Sequence, residues 1–157
     1  MSTKPVAIVK KINIDVRATR AQTGDVKFDC RWKNENDSIG DWKSGPILLP
    51  RGPEHYRLVF DLDDKSGRKL LFYSDPAEAL YVEVGSCPSA PGNGGGQIDF
   101  ERVDPTKKKL TIKDFNRDPP CTLHYMLRFD GEAHGLCPPY KYDPEIRNGG
   151  GGAIESF

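Results

Sequence analysis

The chain has 157 residues, and 23 lysines and arginines balance 23 aspartates and glutamates. That length predicts one domain, able to bury roughly 70% of its unfolded surface and so to fold without metal or disulfide. The even charge argues against a nucleic-acid partner, which calls for a basic excess or stripe. No apolar stretch approaches the ~20 residues of a membrane span.

The first residues carry Lys4, Lys10 and Lys11 and lack the apolar run of a signal peptide, so the expected location is the cytoplasm. There the four cysteines, Cys30, Cys87, Cys121 and Cys137, are expected as reduced thiols.

Period-two alternation dominates the chain. Val6, Ile8, Ile12, Ile14 and Val16 share one face, interrupted by Lys10, a device that protects an edge strand. Val26, Phe28, Cys30 and Trp32 alternate with Lys27, Asp29 and Arg31 and predict a half-buried strand. Residues 34–53 hold three glycines and three prolines and read as a loop. Tyr56, Leu58, Phe60 and Leu62 form the next strand, and the pattern resumes over residues 70–73. Asp63-Asp64-Lys65-Ser66-Gly67 between them reads as a hairpin turn. Asp75-Pro76 predicts a capped helical turn, followed by a strand through Leu80, Val82 and Val84. Residues 86–96 are rich in glycine and proline, and residues 98–103 and 110–115 read as two strands. Lys107-Lys108-Lys109 falls between them, as a solvated hairpin end. Cys121, Leu123, Tyr125, Leu127 and Phe129 mark the last strong strand. The sum is all-β: a single antiparallel two-sheet β-sandwich of about eight strands. Phe60 and Phe129 are expected at its centre.

The chain then changes character. Residues 1–137 read as the domain and residues 138–157 as an extended C-terminal arm with a glycine-rich tail. Pro138, Pro139 and Pro144 favour extended backbone. Tyr140, Tyr142 and Ile146 fall on alternate positions, so the arm is expected to lie along a sheet edge, its own or a neighbour's. Gly149 to Gly152 read as a flexible joint.

Several groupings invite chemistry. Cys121, His124, His134 and Cys137 offer the donors of a tetrahedral zinc site, but residues three apart on a strand face opposite ways. Cys121, His124 and Met126 with His55 resemble a copper ligand set, crowded into one strand. The acids around Asp63 lack the third oxygen ligand and the closing glutamate of a calcium loop. Residues 92–96 lack the Lys-Ser/Thr of a phosphate loop. Cys87 has no local base to make it a nucleophile, and no catalytic motif is present. The reading is therefore of no cofactor and no catalytic residue. Trp42, in a glycine-rich loop, is either a lid on the core or a contact residue. The expected function is a non-enzymatic interaction or structural protein whose partner is protein, including itself. It would act through an edge strand and the arm, with Trp42, Tyr140, Tyr142 and Ile146 as contact residues. The alternatives are a ligand-binding module using the end loops, and a zinc- or copper-binding protein.

Overall fold

The computed structural model describes residues 9–20, 22, 26–32, 47–86, 88, 90–130, 140–142 and 145–152, with backbone only at 140–142. Among these residues, eleven strands and one helical turn follow in chain order: β1 (Val9–Arg20), β2 (Val26–Trp32), β3 (Ile47–Leu49), β4 (His55–Asp64), β5 (Leu71–Phe72), α1 (Pro76–Ala79), β6 (Leu80–Val84), β7 (Ile98–Val103), β8 (Lys109–Asp114), β9 (Cys121–Asp130), β10 (Tyr140–Tyr142) and β11 (Glu145–Asn148). The turn α1 starts as its sequence dictates: Asp75 accepts from the Ala77 N–H at 3.0 Å and Pro76 occupies the first helical position.

The strands form two sheets. One runs β2-β1-β4-β8-β7. In the other, β9 has β5 and β6 on one side and β10 and β11 on the other, with β3 outside β11. Both are mixed, because β1 pairs β4 in parallel over Val9 to Ala18, and β3 pairs β11 in parallel. The expectation of purely antiparallel sheets rested on the lack of crossover helices. The 34 residues between β1 and β4 are long enough to return the chain for a parallel pairing.

Two further expectations change. The β1 strand is not an edge where it lies between β2 and β4. Among the described residues only Val9 to Asn13 extend beyond β2, and there Lys10 is exposed and meets Glu54 at 3.7 Å. The turn after β4 is not a hairpin either, since β5 pairs β9 in the other sheet. Asp64 stabilises this crossing, its carboxylate accepting from the Ser66 N–H, the Ser66 hydroxyl and the Leu70 N–H.

One core joins the inward faces. Phe129 of β9 stacks on Phe28 of β2 (5.2 Å between centroids) and packs against Phe72 (4.9 Å), while Phe60 of β4 meets Tyr125 of β9 at 5.5 Å. Phe129→Ala is expected to cost ~3–5 kcal/mol through lost burial and a residual cavity. Urea denaturation measures this, and a loss below about 1 kcal/mol would place Phe129 outside the core.

Candidate functional site

The glycine-rich stretch before β7 is fixed to β6. Val82 donates to Gly92 O at 3.1 Å and accepts from Gly94 N at 3.0 Å. Gly94, Gly95 and Gly96 all take positive φ, which side chains disfavour. A Cβ on Gly94 would sit 3.0 Å from both Val82 and Leu123 side chains. The stretch is thus a tight turn docked on a strand, and it places Gln97 in the interior.

Gln97 acts as a clamp. Its Nε2 donates to Arg117 O (3.0 Å) and its Oε1 accepts from Arg117 N (2.8 Å), while Phe115 N donates to Gln97 O (2.9 Å). These contacts hold the segment after β8 beside the glycine turn. A cleft of about 210 Å³ lies between them, lined by Val84, Gly94 to Gln97, Arg117 to Pro119 and Cys121. The Arg117 guanidinium stacks over Phe115 at 4.3 Å and reaches Gly96 O at 3.5 Å. At the outer wall Asp118 receives two hydrogen bonds from Arg51, at 2.7 and 3.3 Å.

The Cys121 thiol faces this cleft. Burial, and then the Asp114 charge, push its pKa up against a hydrogen bond from Gln97. A thiol held protonated is a poor nucleophile and a poor metal ligand. His124 lies on the opposite face of β9, in register with Glu83 of β6 and Glu145 of β11, its Nδ1 3.9 Å from Glu145 Oε1. The strand therefore divides the Cys121/His124 pair, as its period requires. His134 and Cys137 lie outside the described residues, among which no group of three metal-binding side chains converges. Of the copper set, His55 is buried in the other sheet, edge-on to Phe115, and Met126 shares neither face nor direction with Cys121.

The contact residues expected from sequence separate in the same way. Trp42 lies outside the described residues. Tyr140 and Tyr142 belong to β10, which pairs with β9 of the same chain. Ile146 is fully buried in the core, so its apolar surface is already covered by its own sheets. The arm thus has an intramolecular role over β10 and β11.

Sequence reasoning missed a buried polar group beneath the cleft. Asp114, Asn116 and Asn148 expose 0%, 0% and 3% of their surface. Asp114 Oδ1 accepts from Asn116 N and from Asn148 Nδ2, both at 2.8 Å. Asn116 in turn donates to Pro50 O and Gly150 O and accepts from Gly150 N. A signal was present: Asp114 falls in the inward phase of Leu110 and Ile112, and Asn148 in that of Ile146. Among the described residues no helix is long and apolar enough to cross a membrane. No protein-family model matches the chain, and a search of curated proteins finds no match to it.

Proposed function

We propose that this chain is a non-enzymatic, self-associating protein of the two-layer β-sandwich kind, and that two copies join through the edge of β2. The observation that carries the reading is the position and charge order of that strand. β2 ends its sheet among the described residues and pairs β1 through seven residues without a bulge. The opposite edge, β7, is interrupted by a bulge between Phe100 and Arg102, a feature that discourages edge pairing. Along β2 the outward residues are Lys27, Asp29 and Arg31.

In a two-fold antiparallel pairing centred on Phe28, Lys27 of each copy faces Asp29 of the other. Val26 faces Cys30 on the inward side. Centring one residue later would set Asp29 against Asp29 and Lys27 against Arg31. Opposite charges directly across a strand pair contribute about 0.2–1 kcal/mol each, and like charges oppose pairing, so the pattern disfavours the Asp29-centred register and favours the Phe28-centred one. Within the chain, Asp29 meets Arg17 at 3.4 Å and Arg31 meets Asp15 at 3.0 Å, which fixes the two charges in place.

The test uses charge reversal. Sedimentation equilibrium is expected to show a dimer for the natural chain, and weaker association for Lys27→Asp and for Asp29→Lys alone. Mixing the two variants restores complementarity at both positions and is expected to give a heterodimer. A natural chain monomeric at about 100 µM would end the reading.

A second reading, a small-ligand module, is favoured by the cleft beside Arg117. Its volume of about 210 Å³ is below the roughly 300–1,000 Å³ usual for drug-sized ligands, so it ranks behind.

A further inference from the structure

The pair Asp114 and Asn148 is hydrogen-bonded on one side only. Asn148 Nδ2 donates to Asp114 Oδ1 at 2.8 Å. Asp114 Oδ2 and Asn148 Oδ1 are both buried, and neither has a hydrogen-bond partner among the described residues. Two acceptors left over from one carboxyl–amide pair are costly when buried. One proton resolves both: a carboxylic acid and a primary amide form a closed pair in which the acid carbonyl accepts from the amide N–H and the acid O–H donates to the amide oxygen. We propose that Asp114 carries that proton on Oδ2 in the folded protein, donates it to Asn148 Oδ1, and so acts as a pH-sensitive latch on the C-terminal strap.

The strap is the run from Glu145 to Gly152. Asp114 holds it through Asn148 directly and through Asn116, whose N–H it accepts and whose side chain binds Gly150 at both N–H and carbonyl. Loss of the proton leaves a negative oxygen against the Asn148 carbonyl oxygen in a dry site. Opening the strap admits water to both.

Asp114 is flanked in register by Tyr56 of β4 and Ile98 of β7. His55 precedes Tyr56 and packs on Phe115. From the second sheet, Cys121 of β9 lies close enough to feel the Asp114 charge, and Asn148 comes from β11. Beyond Asn116, Arg117 is engaged with Phe115 and Gly96, and Asp118 with Arg51. Among the described residues no ion pair to Asp114 offsets its burial. Burial raises its pKa from the ordinary 3.8 to about 7, against the lowering effect of the Asn116 and Asn148 hydrogen bonds.

The sign follows from linkage. A carboxyl with a raised pKa in the closed state gives its stabilisation in full below the ordinary value. That contribution is lost as pH rises through the closed-state value, here over roughly pH 4 to 7. Hydrogen-exchange protection at the Gly149, Gly150 and Gly152 amides, corrected for intrinsic exchange, is therefore expected to fall about tenfold per pH unit from pH 5 to 7 and to level off above. Asp114→Asn places an amide N–H where the proposed O–H lies, so its protection is expected to stay flat with pH. The carboxyl-carbon resonance of Asp114 in the natural chain supplies an independent readout, expected to titrate near neutrality. The proposal fails if that carboxyl is already ionised at pH 5. It fails equally if it titrates near neutrality without a change in strap protection, or if Asp114→Asn keeps the natural slope.

Discussion

A chain ending at Pro144 is expected to lose cooperative folding. The deleted strand β11 is internal to its sheet, with four residue pairs to β9 and three to β3. Ile146 would leave the core, and removing a fully buried aliphatic side chain costs ~2–5 kcal/mol. Ile47 and Leu49 of β3, 1% and 2% exposed, would lose the only strand they pair with among the described residues. Asp114 and Asn116 would lose partners inside the protein, at about 1–3 kcal/mol for each orphaned group. Together these losses rival the ~5–15 kcal/mol by which whole domains are stable. Far-UV circular dichroism with urea titration decides the matter. A sharp transition within about 1 kcal/mol of the full chain would show that β11 is dispensable.

The second large effect is expected at the glycines that follow. A Cβ at Gly152 would stand 1.7 Å from Phe115 O, and one at Gly149 would stand 2.4 Å from Arg51 N. Both obstacles are backbone, which cannot swing aside as a side chain does. Gly149 N donates to Leu49 O, Gly52 N donates to Gly150 O, and Gly152 N donates to Asn116 O, so the run is pinned along its length. Gly152→Ala is expected to cost ~3 kcal/mol or more, the upper end for overpacking. Gly85 supplies the control. Its φ is +79 but a Cβ there would meet nothing within 4 Å, so Gly85→Ala carries only the backbone penalty of about 1–2 kcal/mol. Urea midpoints compare the two variants, and equal losses would mean that the strap is not tightly seated.

The glycine run shows where reading the sequence stops. Four consecutive glycines compose a flexible linker and a close-packed strap equally well. What distinguishes them is Phe115, Asn116, Pro50 and Arg51, which are remote in sequence. Strands β2, β4, β8 and β9 were legible because each has one buried and one less buried face, so the pattern is carried locally by side chains. β3 was not: three residues, Ile47-Leu48-Leu49, sit in a stretch whose prolines and glycines dominate the local signal. The pairing of β1 with β4 was hidden for another reason, since parallel and antiparallel neighbours impose the same period on a strand. The polar group beneath the cleft was half legible. An aspartate in the inward phase of a strand marks an anomaly, but its partner Asn148 lies 34 residues on and could not be named without the fold. The metal sets were decidable as far as Cys121 and His124, because strand period alone puts them on opposite faces.

The parallel pair of β3 with β11 brings Ile47 beside Ile146, 99 residues apart in the chain. During synthesis, which runs from the amino terminus at ~5–20 residues per second, β3 has no strand to pair with among the described residues until β11, 99 residues on, has been made. β9 likewise waits with one side open after β6 has docked. The first sheet, complete at Asp114, can assemble earlier than the second. Loop closure over such distances is slow, because its entropy must be met before the contact forms. The apolar strands Ile47–Leu49 and Cys121–Asp130 thus stand open to wrong partners until residues 145–148 emerge.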